Sequence, residues 1–248
     1  MDDHTAIVVT ENPAIPLIKA AVDAGSAPDW LRSDLLVPYP AAIDRMGKLV
    51  TGIRDQSGRE SVWLLEHPPT YTAGTSAQPG DLFNPFGFDT FEAGRGGQWT
   101  YHGPGQRVAY VMLDLHRRHG PVPPQDVRAY VTALEGWLIA ALAILGVDAG
   151  RRDGRVGVWV TDAVSGREAK IAALGVRLTR WVTWHGVSLN VDPALGHFDG
   201  IVPCGIREHG VTSLRALGID ATMRDVDAAL AACWPAAFGG EPPKIRAA

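Results

Sequence analysis

The segment AKIAALGVRLTRWVTWHGVSLNV, residues 169–191, decides the fold class, because its apolar side chains follow the short period of β-strands. A further strand is predicted at Val156–Thr161, with a hairpin turn at Ser165-Gly166. The clearest helix precedes both; it opens at Pro124 and closes at Gly146. One face of this helix is formed by Val127, Tyr130, Val131, Leu134, Leu138, Ala141 and Leu145. This combination predicts an α/β protein.

Further elements are predicted on both sides of this region. Apolar residues at helical spacing indicate a helix over Pro40–Ile53. Buried strands are predicted at Ser61–Leu65, Trp99–His102 and Arg107–Leu113, the last two joined through Gly103-Pro104-Gly105. A Pro/Gly-rich connection is expected over residues 79–97.

A last helix is predicted after Thr222, because Asp225 follows three residues later in the pattern of an N-terminal cap. With 248 residues, 46% of them hydrophobic, the chain is long enough to bury one sizeable core. We therefore predict a single catalytic domain over residues 31–240, in which a mixed sheet packs against helices. An N-terminal extension, 1–30, and a C-terminal tail, 241–248, flank it.

Charge and hydropathy exclude several classes of protein. The net charge of −4 argues against nucleic-acid binding, which usually needs a basic surplus to neutralise phosphates. No apolar run approaches the roughly 18 residues of a membrane span, and the longest, Trp137–Val147, is interpreted as part of a buried helix. The start Met1-Asp2-Asp3 does not support a secretory signal. A cytoplasmic protein without membrane or nucleic-acid partners is expected.

Basic residues are concentrated between Arg151 and Arg180, where seven stand against three acidic residues. For any single arginine a solvated strand face or turn is the simpler interpretation. As a group, these residues are candidates for receiving an acidic carrier.

The two cysteines, Cys204 and Cys233, lie in different settings. Cys233 falls in an apolar helical pattern and is predicted to be a small core residue. Cys204 lies between Pro203 and Gly205, on backbone expected to be rigid and exposed, which favours a reactive thiol over an inert one. Lys170, in a run of small apolar residues, is a candidate for a desolvated, reactive amine. Together they suggest covalent acyl chemistry.

The segment Arg95–Gln106 is rich in Gly and Pro, with Arg95, Tyr101 and His102 interleaved. A structural turn and a substrate-lining wall both remain open for it. The segment has neither the ending of a P-loop nor the Rossmann spacing.

Other kinds of site receive little support. His67, His102 and His185 lack the spacing of metal ligands, so hydrogen-bonding roles are favoured and no metal is expected. A serine hydrolase is disfavoured because no Gly-x-Ser-x-Gly elbow occurs. A hydrolase that uses Cys204 with a histidine stays open as a rival.

Five motifs together resemble the octanoyl-acyl carrier protein:protein octanoyltransferases, which begin lipoate biosynthesis. They match in order over roughly residues 35–220 and lie at Leu65–Gly74, Arg95–Gln106, Lys170–Gly175, His185–Val191 and Pro203–Gly205. The resemblance implies a fold of the biotin–lipoate ligase kind, related to the catalytic domains of class II aminoacyl-tRNA synthetases.

The resemblance also implies roles for individual residues. Cys204 would carry the acyl group as a thioester, and Lys170 would lower the pKa of that thiol. The acyl chain would be held by Arg95, Gly96, Gly97, Gln98, Trp99, Thr100, Tyr101, His102, Ala173, Leu174, Gly175, Gly186, Val187 and Ser188. Ala173 stands where many members have serine, and mainly backbone contact is expected there.

The reaction implied is a two-step exchange. The octanoyl group would pass from the phosphopantetheine of octanoyl-acyl carrier protein to Cys204, and then to a lysine of a lipoyl domain. The acceptors would be the lipoyl domains of 2-oxoacid dehydrogenase complexes and the glycine cleavage H protein. No further cofactor and a monomeric enzyme are expected. The alternatives are an ATP-dependent lipoate or biotin ligase, in which Cys204 would be dispensable, and a non-catalytic acyl-binding module.

Overall fold

The computed structural model describes residues 27–161, 166–202 and 210–248. Three helices lie in these ranges: α1 (Tyr39–Arg54), α2 (Val127–Ile144) and α3 (Met223–Phe238). The strands are β1 (Asp29–Arg32), β2 (Ser61–Leu65), β3 (Thr70–Ala73), β4 (Asp89–Glu92), β5 (Trp99–His102), β6 (Gln106–Met112), β7 (Gly150–Arg152), β8 (Arg155–Thr161), β9 (Glu168–Thr179), β10 (Val182–Asn190), β11 (Gly210–Val211) and β12 (Ile245–Ala247).

The main sheet of the described residues runs in the order β12-β1-β2-β6-β10-β9-β8-β7, and β11 pairs with β9. β1 is parallel to β2 and β12, whereas β2, β6, β10, β9 and β8 pair antiparallel to one another. A second sheet has the order β4-β3-β5. The architecture is therefore a mixed α/β fold, as the sequence predicts.

Side chains of the central strands alternate between two cores. Val62, Leu64 and Val111 lie in the core formed with α2 and α3. Trp63 and Leu65, which alternate with them along β2, lie in the core formed with α1. The period of two along a strand thus places α1 on one face of the sheet and α2 and α3 on the other.

Helices α2 and α3 begin at side-chain caps, whereas α1 begins after Pro38 without one. Thr222 and Asp225 form a reciprocal capping box at α3, which confirms the predicted cap. The helix predicted from Pro124 begins instead at Val127, and the Asp126 carboxylate accepts a hydrogen bond of 2.8 Å from the Ala129 N–H. Gln125 has a φ of 56°, so the chain cannot be helical before Asp126.

Contrary to the expectation that no apolar run approaches the length of a membrane span, helix α2 is long and apolar enough to cross a membrane by length and composition. Its Trp137 is fully buried and meets Trp30 and Trp234 edge to face, at centroid distances of 5.9 and 5.3 Å. The indole N–H of Trp137 donates to the Leu230 carbonyl of α3. These contacts make α2 a core helix, as predicted for residues 137–147.

The β5–β6 connection turns the chain from one sheet into the other. β5 pairs with β3, whereas β6 pairs with β2 and β10, so two strands that are consecutive in sequence are not neighbours. Gly105 has a φ of 85°, and a β-carbon there would overlap the carbonyl of Asp192. This close approach explains why the corner needs glycine.

The sheets also include segments that the sequence analysis left out. β4 lies inside the predicted 79–97 connection, and its mostly exposed, polar residues give no apolar alternation. β12 lies inside the predicted tail, and β1 begins before residue 31; the two pair with each other, with Trp30 opposite Ile245. Part of the predicted Ser165-Gly166 turn lies outside the described residues, but β8 and β9 on either side pair antiparallel.

Candidate active site

A cavity of about 200 Å³ lies between β9, β10 and the segment around β5. The predicted site residues that line it are Arg95, Gly97, Gln98, Trp99, Thr100, His102, Lys170, Ala173, Leu174, Gly175, Gly186, Val187 and Ser188. The tertiary structure therefore brings three separate sequence motifs to one cavity.

Strand pairing explains how two of these motifs meet. In the antiparallel register of β9 and β10, Ala173 is opposite Ser188, Leu174 is opposite Val187 and Gly175 is opposite Gly186. The two glycines leave the middle of this strand pair free of side chains, and the backbone itself forms part of the wall.

Gly96 and Tyr101 were predicted with this set but do not line the cavity. The Gly96 N–H donates to the Val176 carbonyl at 2.9 Å, which ties the glycine-rich segment to β9. Tyr101 is buried against Tyr71 and Phe198, away from the cavity wall. Both residues therefore lie behind the cavity wall and hold it in position.

Arg95 also has a structural task. Its guanidinium donates to the carbonyls of Gly96, Gln98 and Thr72 and to the Thr72 hydroxyl, at 2.8–3.1 Å. These hydrogen bonds fix the glycine-rich segment, which has few side chains of its own to hold it in place. The buried guanidinium also places a fixed positive charge beside the cavity.

Lys170 projects from β9 into the cavity and is only 7% exposed. Its ammonium lies 4.8 Å from the ring centroid of Trp159 on β8, within the range of a cation–π interaction. A β-carbon at Gly157 would lie 3.0 Å from Lys170 Cε, so glycine at that position leaves room for the lysine stem.

Cys204 lies outside the described residues, which stop at Val202 and resume at Gly210. The Val202 N–H donates to the Asp81 carbonyl at 2.8 Å. On the other side, Gly210 and Val211 pair with Ala169 and Lys170, and the Thr212 N–H donates to the Lys170 carbonyl at 3.0 Å. The chain that follows Cys204 is therefore joined to the strand that carries Lys170.

The other thiol, Cys233, lies in α3 and is 8% exposed. Burial raises the pKa of this thiol. Cys233 is therefore the small core residue that the sequence predicts.

The cavity wall also includes residues that sequence reasoning missed: Tyr39, Val108, Tyr110, Gly154, Arg155, Val156, Trp159 and His185. His185 stands in a motif that had been singled out, but only its neighbours 186–188 were assigned to the wall. Tyr39 and Tyr110 come from α1 and β6. Their apolar surroundings in the sequence are typical of core residues, so the sequence alone does not indicate that they line a cavity.

Tyr39, His67, His102, Tyr110 and His185 form a buried cluster of aromatic rings that we call the ring cluster. His67 Nδ1 must donate to the Val37 carbonyl at 2.6 Å, because a carbonyl can only accept. His67 Nε2 is then the acceptor for the Tyr110 hydroxyl at 2.7 Å. His67 is thus held as a neutral ring of fixed tautomer.

A chain of hydrogen bonds connects His102 to the segment that follows Cys204. His102 Nδ1 donates to Gln106 Oε1 at 2.7 Å, and Gln106 Nε2 donates to Asn190 Oδ1 at 3.0 Å. Asn190 Nδ2 in turn donates to the Thr212 carbonyl at 2.9 Å. The wall of the cavity and the strand edge beside Lys170 are therefore held in one buried network.

Burial keeps the three histidines of the ring cluster neutral. It lowers the pKa of His67 to about 4, and it lowers the pKa of His185 to about 3, with a further contribution from Arg95. The pKa of His102 falls well below its ordinary value, through burial first and His67 second. Neutral rings suit hydrogen bonding in a dry site, in accord with the roles predicted for these residues.

We expect these histidines to make the fold sensitive to acid. A lowered pKa in the folded state means that the unfolded chain takes up protons first, so stability is lost as the pH falls below about 6.5. The three rings together should lower the free energy of unfolding by about 4 kcal/mol between pH 7.5 and 5.5. Urea unfolding at a series of pH values measures this loss.

The matched variant His185→Asn tolerates the same backbone but does not titrate in this range. It should reduce the loss by about one third. A free energy of unfolding that stays level between pH 7.5 and 5.5 would contradict the assignment of neutral, buried rings.

Part of the predicted basic surplus is paired within the protein. Arg152 and Arg155 both contact the carboxylate of Glu168, and Arg151 contacts Glu135 at 3.0 Å. Three of the seven basic residues are therefore engaged in ion pairs within the protein.

Comparison with known proteins identifies the family. Residues 38–234 match the family model of the lipoyl protein ligase A/B catalytic domain. An octanoyltransferase of Gluconacetobacter diazotrophicus is 64% identical over 88% of this chain and 94% of its own length. One of Acidiphilium cryptum is 55% identical over 92% of this chain and 99% of its own.

Solved structures agree on the fold. A bipartite lipoate protein ligase of Thermoplasma acidophilum matches with a TM-score of 0.61 at 16% identity, over 89% of this chain and 88% of its own. A lipoate-protein ligase A bound with ATP matches with a TM-score of 0.62 at 13% identity, over 89% of both chains. These likenesses confirm the predicted lipoate-ligase fold.

Fold and cavity thus define a catalytic domain of the lipoate-ligase kind. The chain belongs to the lipoyl protein ligase A/B catalytic domain family. Within that family its relatives at 55–64% identity are octanoyltransferases, and the chain is an enzyme of this type.

Proposed function

We propose that the enzyme moves an octanoyl group from octanoyl-acyl carrier protein, through a thioester on Cys204, to a lysine of a lipoyl domain. The observation that carries this proposal is the position of Lys170. Its ammonium lies in an apolar-walled cavity, and its strand pairs with the segment that follows Cys204. A thiol acyltransferase needs an amine and a thiol close together beside a pocket for the chain.

In the first step, the Cys204 thiolate attacks the carbonyl carbon of the carrier-bound thioester. A C–S bond to Cys204 forms, the C–S bond to phosphopantetheine breaks, and the released thiolate takes a proton from Lys170, which leaves that amine neutral. A free cysteine with a pKa near ~8.5 is only a few per cent thiolate at neutral pH, and a neighbouring ammonium increases that fraction. Lys170 supplies this charge.

In the second step, the amine of the target lysine attacks the octanoyl-Cys204 carbonyl. A C–N bond forms, the C–S bond breaks, and the nitrogen loses a proton. Lys170 in its neutral form is the proposed acceptor of that proton. One thioester replaces another in the first step, so formation of the more stable amide drives the sequence.

The likenesses support a protein acceptor. The Thermoplasma ligase was solved as part of a system with its E2 lipoyl domain. We extend this acceptor to lipoyl domains of 2-oxoacid dehydrogenase complexes and to the glycine cleavage H protein. We also propose that the enzyme works as a cytoplasmic monomer, without a cofactor beyond the carrier's phosphopantetheine.

The mass of the protein after incubation with octanoyl-acyl carrier protein tests this proposal. We expect one added octanoyl group that hydroxylamine removes, because a thioester is labile to that reagent. Adding a lipoyl domain should move the group to the domain as a hydroxylamine-stable amide, with no ATP or magnesium present. If product forms only from free octanoate with ATP and magnesium, the enzyme is a ligase.

A further inference from the structure

The two ends of the cavity differ in chemistry. Along β9 the lining residues run from Lys170 through Ala173, Leu174 and Gly175, and His185 is paired opposite the next residue, Val176. Val176 is six positions beyond Lys170, which is about 20 Å along a strand. The reactive amine therefore lies at one end of the cavity and His185 at the other.

Between these ends, the side of the cavity formed by β9 and β10 is lined by Ala173, Leu174, Gly175, Gly186, Val187 and Ser188. Of these residues only Ser188 has a polar side chain, and the two glycines leave the backbone itself as the wall. A hydrocarbon chain that starts at the reacting carbonyl beside Lys170 is buried along this wall. Each buried methylene should raise kcat/KM about fourfold.

The far end is polar. His185 is 3% exposed, and its buried Nδ1 has no hydrogen-bond partner among the residues that the structure describes. Its Nε2 lies 3.3 Å from the Tyr39 hydroxyl, which comes from α1. The backbone of His185 has a φ of 61°, a left-handed conformation that is unfavourable for this residue and is imposed by the surrounding structure.

We propose that His185, with Tyr39, forms a polar stop that sets the length of the acyl chain the enzyme accepts. This inference rests on the proposed function. An apolar chain that reaches the stop packs against the His185 ring and Tyr39, which line the cavity, and offers this polar pair no hydrogen bond. Methylenes that lie short of the stop favour binding, and methylenes that reach it oppose binding.

Two acyl chains of equal length test the stop on the unaltered enzyme. The 8-hydroxyoctanoyl and nonanoyl groups have the same number of heavy atoms in the chain, but only the first ends in a hydroxyl. We expect 8-hydroxyoctanoyl-carrier to acylate the enzyme faster than nonanoyl-carrier, because its terminal hydroxyl can form a hydrogen bond with the His185–Tyr39 pair at this end of the cavity. Faster acylation by nonanoyl would overturn the proposal.

A pair of variants separates polarity from space. Glycine and asparagine both tolerate the backbone conformation of His185, but only asparagine keeps a polar group there. In His185→Gly, the ratio of kcat/KM for decanoyl over octanoyl carrier should rise about fifteen-fold, which corresponds to two added methylenes. In His185→Asn the ratio should change less than about threefold, because the amide stays.

These outcomes are distinct from failure of the proposed function. An equal rise in both variants, or no rise in His185→Gly, would overturn the polar stop. Absence of any acyl adduct in the unaltered enzyme would instead overturn the proposed function. Because each result is a ratio of two substrates on one variant, partial loss of folded protein does not change it.

Discussion

Cys204→Ser is expected to abolish the hydroxylamine-labile octanoyl adduct and to lower transfer to a lipoyl domain by several orders of magnitude. A serine hydroxyl is far less acidic than a thiol, so an ammonium nearby does not turn it into a comparable nucleophile. Loss of the nucleophile in a covalent enzyme typically has effects of this size. Intact-protein mass spectrometry and the rate of transfer to the lipoyl domain provide the two measurements.

Cys233→Ser is the matched control, because it makes the same change at the other cysteine. That thiol is buried in the core between α2 and α3. Its replacement should lower the stability of the fold by about 1 kcal/mol, since a hydroxyl is placed among apolar side chains, but transfer per folded molecule should be unchanged. Full activity in Cys204→Ser, or an adduct that maps to Cys233, would end the covalent mechanism as proposed.

Lys170→Ala is expected to slow both half-reactions strongly, whereas Lys170→Arg should slow mainly the second. Arginine keeps a positive charge near the thiol and can stack on Trp159 as lysine does. Its guanidinium stays protonated in proteins, so it cannot accept a proton from the attacking amine. Formation of acyl-enzyme should therefore survive better in Lys170→Arg than transfer from acyl-enzyme to the lipoyl domain.

Single-turnover kinetics separates the two steps. Acylation is followed with octanoyl-acyl carrier protein alone, and transfer is followed by mixing isolated acyl-enzyme with a lipoyl domain. The general base commonly contributes about 10²- to 10⁴-fold, which is the expected loss in the second step for the arginine variant. An equal loss in both steps would leave the proton-accepting role without support, and unchanged transfer in Lys170→Ala would remove Lys170 from the mechanism.

The sequence predicted the strongly patterned elements well. β2 lies at Ser61–Leu65 and β5 at Trp99–His102, as expected, and α1 differs from its prediction by one residue at each end. These segments carry their signal locally, in apolar periodicity and in proline or capping residues.

Other elements depend on contacts between distant residues. The two-residue turn between β9 and β10 is formed by Arg180 and Trp181, which have φ angles of 48° and 64°. Such left-handed turns usually contain glycine or asparagine, so neither residue type signals a turn. β4 and β12 are short edge strands whose pairing is decided by β3 and β1 rather than by their own composition.

The candidate site also has a part that local sequence predicts and a part that depends on contacts between distant residues. Cys204 and Lys170 are predicted as the reactive pair from their local setting and from motifs. The glycine-rich segments were predicted because glycine marks close approach of backbone. Tyr39, Tyr110 and His185 were not assigned to the cavity, although each has a polar atom that forms a hydrogen bond within the ring cluster. In a sequence, a tyrosine within an amphipathic pattern cannot be distinguished from a core residue. Only the packing of the folded chain shows which group its hydroxyl contacts.

By itself, the sequence determined the family, the α/β class and the segments that line the pocket, because each of these rests on residues that are close together along the chain. Only the tertiary structure decided that β5 and β6 belong to different sheets, that Arg95 holds the glycine-rich segment, and that the cavity has a polar end. The reason is physical: pairing, desolvation and hydrogen bonding depend on which side chains meet in space, and strand register and helix packing bring together residues as far apart as Tyr39 and His185.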